Sequence, residues 1–472
     1  MENNGILSQN QRYKKFSALK TVYMVLFLFV LMGRFISLYW IIPHIVDTAA
    51  FVGFTCFAAA FVIFDLIGKR RTLSATNIVF LILFFVSCFI SCLIYVKYGW
   101  ADNLKSLMSI ALSLFFLYPY SFVNGAKELE KIIVLLQKIT IVSWMIFSLV
   151  SIYTFVIQYS KIFYIHGTRI LLGCIENRLF GVFSDPNYAS VISIITMAFS
   201  VAILNYKNQN KFMKIIAALN IGVQFIYLVL GASRTGEVCF LMVLFISAFV
   251  YSYKINPKKN FFVLIARLII IACACVAVHF VIDYTRVIFS YIPSLFNSAH
   301  SNGSGAMTGL YQVSMERPDV VENSDISNLR FRIWGSAIDI FKTTWLFGAS
   351  PRNALKYAKD VLPNAFIAQR GYDAHNFYVA TVFYTGVLGS LFLGIFLIKS
   401  AYKIVKYYLK NNFKVSNPLF NSLVISLICT AVSGMFLSEI LFITTVGSFF
   451  FWTFLGYVTD VISKSRNSCE DR

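Results

Sequence analysis

Charge is scarce in this chain of 472 residues, because charged side chains make up 13% of it and apolar residues 58%. A soluble domain carries roughly 25% charged residues, so too little polar surface is present here for a water-soluble globule of this size. Apolar runs of about 20 residues recur along the whole length, and each can cross the hydrocarbon core as a helix. The composition therefore excludes a soluble fold and predicts an all-α polytopic membrane protein.

Other absences narrow the chemistry. The chain has no CxxC pair, and most of its nine cysteines fall in apolar runs, which argues against a disulfide framework. The five histidines form no HExxH motif, and no outer loop carries a DxD-like acidic motif, so we expect neither a metal nor another cofactor. The net charge is +20, but the sequence contains no soluble basic domain that could bind nucleic acid, so we expect no nucleic-acid partner.

The apolar runs predict about twelve spans, with both termini in the cytoplasm. Lysine-rich short loops, such as those containing Lys20, Lys69 and Lys399, all fall on one side of such a layout, and an excess of Lys and Arg marks the cytoplasmic side. The last two runs are short and are separated near Gly434 and Glu439, so they could instead form one re-entrant pair. The predicted spans are 21–41, 45–67, 77–97, 104–122, 132–157, 186–205, 213–231, 235–253, 261–283, 374–398, 419–438 and 441–461.

Two long segments then lie outside the cell. The first is 158–185; the second, 284–373, divides the chain into 1–283 with nine spans, the outer loop itself, and 374–472 with three spans. The outer loop starts with the Ser/Asn/Gly-rich sequence NSAHSNGSGAM, which predicts a flexible loop. It then has apolar residues at helical spacing, which predicts a helix at the membrane surface; these are Trp334, Ala337, Ile338 and Phe341.

The outer segments are rich in arginine, whereas lysine dominates the cytoplasmic loops. Guanidinium groups bind phosphate through two hydrogen bonds, so this asymmetry favours an anion site over ordinary solvated arginines. Arg234 is the sharpest candidate, because a charge close to membrane depth is costly unless it is paired or functional; Glu237 is the alternative, structural partner. The outer arginines are Arg169, Arg178, Arg234, Arg286, Arg317, Arg330, Arg332, Arg352 and Arg370.

Two further residues stand where outer segments meet spans. His375 precedes span ten, where an imidazole can titrate near neutral pH and reach a substrate at the interface, although a helix-cap or interfacial role is also open. Asp185, followed by Pro186, has the pattern of an N-cap before span six, and that structural role alone accounts for both residues.

Four segments, in this order, resemble the O-antigen ligase/polymerase superfamily of bacterial membrane glycosyltransferases. FSDPNYAS is similar to its Asp-Pro-Asn start of a span, and GASRTGEV to its Ser-Arg turn. RFRIWGSAIDIFKTTWLFGAS is similar to its Arg-x-x-x-Trp segment with a Leu-Phe-Gly turn, and HNFYVATVFYTGVLG to its His-Asn pattern with two later glycines. One departure is that Ala349-Ser350-Pro351 follows the turn where the family often has Gly-x-Gly.

The resemblance implies a GT-C-like fold in the bacterial cytoplasmic membrane and a donor glycan linked to undecaprenyl diphosphate. By carry-over, His375 is the general base on the acceptor hydroxyl, and Arg234 and Arg330 hold the diphosphate, with Arg332 as a competitor to Arg330. The candidates for supporting roles are Asn376, Asp185, Asn187 and Glu439. Implied partners are the lipid-linked oligosaccharide and membrane lipid, and a chain-length regulator is a further candidate.

The favoured function is a polymerase that joins lipid-linked repeat units for a capsule or O-antigen. A ligase that moves finished glycan to the lipid A core of lipopolysaccharide, or to protein, is the alternative within the enzyme class. A transporter or flippase is less favoured, because it should have inverted repeats and charges near mid-span, and only Arg34 has that predicted position. A membrane scaffold leaves the outer arginines unexplained.

Overall fold

The computed structural model describes residues 2–68, 75–123, 126–207, 209–256, 260–297, 312–315 and 329–470. Within these ranges, ten helices are long and apolar enough to cross a membrane, and two shorter apolar helices occupy the places of predicted spans three and eleven. The chain is therefore an all-α polytopic membrane protein. In order, spans one to twelve are Phe16–Arg34, His44–Ile67, Ile78–Ile94, Trp100–Val123, Glu128–Val156, Pro186–Asn205, Lys211–Gly231, Arg234–Ile255, Phe261–Phe296, Phe377–Lys410, Pro418–Ser433 and Val446–Ser465.

Several helices differ from these span limits. The first helix runs Glu2–Arg34, the fifth span's helix Ala126–Val156 and the last Val446–Glu470. Span four is made of Trp100–Ala111, a π-helical turn and Tyr120–Val123, and span nine is made of Phe261–Ser290 and Ile292–Asn297. In the part of the chain that the structure describes, the short helices outside the spans are Ser37–Ile41, Val96–Tyr98, Arg330–Thr343, Ala354–Val361 and Phe366–Arg370.

Span six lies at the centre of the bundle, where it packs against spans five, seven, eight and eleven. Its hydroxyl side chains hydrogen-bond to neighbouring helices, since the Trp144 indole donates to Ser193 Oγ at 3.2 Å and the Asn220 amide to Ser200 Oγ at 2.9 Å. Such polar contacts join helices that gain no hydrophobic driving force from lipid. Span nine, by contrast, is mostly exposed at the periphery.

The first outer segment contains a small antiparallel sheet that the sequence did not predict. Its strands are β1 (Ser160–Ile165), β2 (Thr168–Ile175) and β3 (Arg178–Gly181), in the order β1-β2-β3. β3 then leads through an isolated bridge between Phe183 and Ile36 into span six. The sheet therefore joins span five to span six and fixes the chain that approaches Asp185.

The second outer segment is attached to span ten by backbone pairing. Ala349 N–H donates to Phe383 O at 2.9 Å, and Val387 N–H donates to Trp345 O at 2.8 Å. This close approach needs glycine on both sides, because a Cβ on Gly348 or Gly386 would lie 2.3–2.6 Å from the facing backbone, and both residues have positive φ. The Leu-Phe-Gly turn and the first of the two glycines after His-Asn are thus two halves of one junction.

The helix predicted around Trp334 exists as Arg330–Thr343. Ala337, Ile333 and Ile340 are buried within the protein, whereas Ile338 is 49% exposed. The departure after the Leu-Phe-Gly turn is accommodated at Ser350, which is buried with a φ of 74°. Serine therefore adopts a left-handed conformation that glycine takes up more readily.

Some expectations need correction. Arg34 ends the helix of span one, so it lies at a helix end and not near mid-span. Lys20, counted above as a loop cation, is buried and pairs with Asp65 of span two. The last two spans are separate helices, and 434–445 between them is not helical. Lys69, Arg317 and most of NSAHSNGSGAM, including His300, lie outside the described residues.

Candidate active site

The start of span six is fixed by the predicted cap. Asp185 has an extended backbone, and its Oδ1 accepts a 2.7 Å hydrogen bond from Asn187 N–H, with Pro186 at the first helical position. The cap satisfies one of the backbone N–H groups that a helix leaves open at its start. This confirms the structural role predicted for Asp185 and sets its carboxylate at the N-terminal end of the central helix.

Asn187 joins the start of span six to the turn before span eight. Its Oδ1 accepts a 2.9 Å hydrogen bond from Ser233 Oγ and a 3.1 Å hydrogen bond from Arg178 Nη2. Ser233 in turn caps span eight, since its Oγ accepts from Gly236 N–H at 3.0 Å. The exposed Arg234 is the first residue of that helix, so its guanidinium stands at the positive end of a helix dipole.

Arg178 is a member of this group that sequence analysis did not single out. Besides Asn187, it donates from Nε to Gly231 O at 3.3 Å, so it holds the last turn of span seven. The only sequence signal was its presence among nine outer arginines. Its location depends on the hairpin between β2 and β3, which the residue pattern did not reveal.

Glu237, the alternative partner considered for Arg234, makes a hydrogen bond to His279 Nδ1 of span nine. His279 also lies 3.5 Å from Asp283, whose carboxylate pairs with Arg286 at 2.9 Å. Glu237 therefore belongs to a row of charged groups between spans eight and nine.

His375 is exposed and has a φ of 46°, an uncommon backbone conformation for histidine. The residues on both sides of it are held: the Trp334 indole donates to Ala374 O at 3.2 Å, and Asn376 caps span ten through Tyr378 N–H and Val379 N–H. Strained backbone is retained only where its surroundings enforce it, and it concentrates at functional sites. Asn376 thus fixes the start of span ten directly after His375.

The two arginines of the surface helix face different neighbours. Arg330 lies over the Phe436 ring at 5.2 Å, and Arg332 lies over the Phe366 ring at 4.5 Å. Phe436 belongs to the segment whose Gly434 and Leu437 carbonyls accept from Phe377 N–H, two residues after His375. Arg330 is therefore on the side of span ten that carries His375, while Arg332 faces the helix Phe366–Arg370.

Asp185 interacts electrostatically with several of these residues. Burial raises the pKa of its carboxyl, while the N–H of Asn187 and the positive charges of Arg178 and His375 lower that pKa. Glu439 lies beyond it, fully buried, and accepts from Ser433 Oγ at 3.0 Å. Burial, with a smaller contribution from the charge of Asp185, raises the pKa of Glu439 to about 8, although the hydrogen bond from Ser433 acts to lower that pKa.

A cavity of about 950 Å³ opens beside these carboxyls; it is lined by residues at the ends of spans one, two, four and six and by parts of the segments between spans. Asp185 and Glu439 line it, but His375, Arg234, Arg330 and Arg332 do not. The candidate residues thus form two groups, one that lines the cavity and one that contains His375 and the arginines. Asp185 is the link between the two groups. Among the residues that the structure describes, no three His, Cys, Asp or Glu side chains form a group able to hold a metal ion.

A comparison with known protein families gives a match to one part of the chain. The O-antigen ligase family model matches residues 217–394, a range that contains Arg234, Arg330, Arg332 and His375. No curated protein matches the chain. Residues 217–394 are therefore similar to the O-antigen ligase family, and the chain is a multi-pass membrane protein.

Proposed function

We propose that the protein is a polysaccharide polymerase of the bacterial cytoplasmic membrane, with both termini inside and its reaction centre on the outer face. Its family domain implies O-antigen ligase or polymerase activity on lipid-linked oligosaccharide. The observation that carries the proposed site is the position of His375, which is exposed, interacts electrostatically with the Asp185 carboxylate and has a backbone held from both sides.

In the proposed reaction the acceptor hydroxyl oxygen attacks the anomeric carbon of the donor glycan. The bond from that carbon to the diphosphate oxygen breaks, undecaprenyl diphosphate leaves, and the hydroxyl proton passes to a ring nitrogen of His375. The Asp185 carboxylate stabilises the imidazolium that forms, as a carboxylate does beside other catalytic histidines.

Arginines bind the departing diphosphate in this proposal. Arg234 offers its guanidinium at a helix N-terminus, where N–H groups and the dipole also favour an anion. Arg330 approaches from the surface helix on the His375 side, and Arg332 has a secondary role because it faces Phe366. Charge developing on a leaving group is stabilised well by cations that are already in place.

Purified protein in lipid nanodiscs, supplied with a purified lipid-linked repeat unit and nothing else, tests this function. A ladder of products that grow by one repeat unit each is the expected result. Absence of a ladder, together with transfer to an added lipid A core or protein acceptor, would assign a ligase. The ligase is the second candidate because the matching family is described as O-antigen ligase. Adding a purified chain-length regulator should narrow the ladder if that partner is correct.

A further inference from the structure

The 950 Å³ cavity has walls typical of a site for a polar, ring-shaped ligand. On one wall Arg34 pairs with Asp47 at 2.8 Å, and the Tyr39 hydroxyl donates to the same carboxylate at 2.7 Å. On another wall Lys105 donates to Thr48 Oγ1 at 3.4 Å. These groups are held in place by one another and retain further donors and acceptors, which is what recognition of several hydroxyl groups requires.

Trp40 is one of several apolar residues that line the same cavity, together with Leu31, Phe35, Ile42, Phe51 and Ile443. It lies in the short helix between spans one and two, and it is 45% exposed. An indole offers a broad apolar surface together with one N–H donor. A sugar ring has the complementary character, with an apolar C–H face and hydroxyl groups around its edge.

The floor of the cavity has an unmet hydrogen-bonding capacity. Glu439 is fully buried, and its Oε2 has no hydrogen-bond partner among the described residues. A buried polar atom without a partner is unfavourable, so a ligand that hydrogen-bonds to it gains affinity. Because burial raises its pKa to about 8, Glu439 carries its proton at neutral pH and can donate to a hydroxyl oxygen.

We propose that this cavity binds the acceptor sugar, with Glu439 hydrogen-bonded to it at the floor and Trp40 against its apolar face. The assignment rests on the proposed function, and it gives the acceptor a site separate from the arginines that hold the donor. Asp185 is the connection, because it lines the cavity and interacts with His375. The attacking hydroxyl would therefore point past Asp185 toward the base.

Calorimetric titration with the repeat-unit oligosaccharide, released from the lipid-linked pool of the producing strain by mild acid, measures this binding directly. Trp40→Ala and Glu439→Ala should each weaken binding about tenfold, equivalent to about 1.4 kcal/mol. Glu439→Gln keeps a neutral donor and should retain most of the affinity. Trp345→Ala is the matched control, since Trp345 is 58% exposed and does not line the cavity.

Kinetics with the same soluble oligosaccharide as acceptor separate this proposal from the proposed function. In Trp40→Ala the KM for the acceptor should rise about tenfold while the KM for the lipid-linked donor stays unchanged. A wild-type protein that binds the oligosaccharide but transfers nothing would overturn the function and leave the site. Wild-type transfer with unaltered acceptor binding in Trp40→Ala and Glu439→Ala would overturn the site alone, as would failure of the wild type to bind the oligosaccharide.

Discussion

Replacing Gly386 with alanine would place a methyl group inside the junction between span ten and the Leu-Phe-Gly turn. The new Cβ would lie 2.5 Å from the carbonyl carbon and oxygen of Leu346 and 2.6 Å from Gly348 N. The backbone of Gly386 has φ 65° and ψ −165°, a region that only glycine visits readily. Alanine therefore meets both an unfavourable backbone conformation and an overlap with backbone atoms that cannot turn aside.

The strain costs about 2 kcal/mol and the overlap a similar amount, so the expected loss in the free energy of unfolding is about 4 kcal/mol. Gly394→Ala is the matched control on the same helix, because no atom lies within 4 Å of its new Cβ. Alanine is the better helix former, so that variant should be unchanged or stabilised by up to about 1 kcal/mol.

Thermal unfolding in detergent, followed by the loss of the monodisperse chromatographic peak, compares the two variants. We expect a large drop in Tm for Gly386→Ala and none for Gly394→Ala. Equal Tm values for both variants and the wild type would refute the idea that this junction attaches the outer loop to span ten. At a temperature where Gly386→Ala stays folded, its polymer formation should also fall, because the junction sets Arg330 relative to His375.

Three further predictions concern single side chains. Arg234→Lys keeps the charge but loses the two-bond geometry of guanidinium, so the KM for the lipid-linked donor should rise about tenfold; an unchanged KM would make Arg234 structural. The pKa of Glu439 is about 8 in the folded protein, against an ordinary value of 4.5. The folded state therefore binds more protons than the unfolded state between these two pH values, so the free energy of unfolding of the wild type should fall as pH rises, by up to about 1.4 kcal/mol per pH unit. Glu439→Gln should remove that loss of stability. If the difference in Tm between the wild type and Glu439→Gln stays constant with pH, this prediction is wrong. At the left-handed Ser350, whose Oγ donates to Asn103 at 2.5 Å, alanine should lower Tm more than glycine does, because alanine loses the hydrogen bond and keeps the strain; the reverse order would contradict this.

The spans were predictable because each apolar run must satisfy its own backbone hydrogen bonds, which leaves the helix as the only choice. The cap at Asp185 was predictable for the same local reason. The sheet at 160–181 was not predictable, because its strands are stabilised by pairing with one another. In addition, buried and exposed residues hardly alternate along β1, so the usual sequence pattern of a strand is weak there. Consequently Arg178, which this sheet delivers to Asn187, was not distinguished from the other outer arginines.

The separation of the site into two groups also depends on tertiary structure. Arg330 and Arg332 are two residues apart, so they point to different sides of one helix, and only the packing against Phe436 and Phe366 tells which one is on the His375 side. The cavity is built by side chains from spans one, two, four and six together with the 434–445 segment, and no single stretch of sequence contains its pattern.

Single-turnover transfer by His375→Ala tests the proposed reaction centre most directly. Purified variant and wild type would be saturated with lipid-linked repeat unit, and the first extended product would be counted after binding of the donor had been verified separately. With His375 as the base, the variant should bind the donor normally and form the first product at least about a hundredfold more slowly. Product formation at the wild-type rate by a variant that is folded and donor-bound would contradict the account.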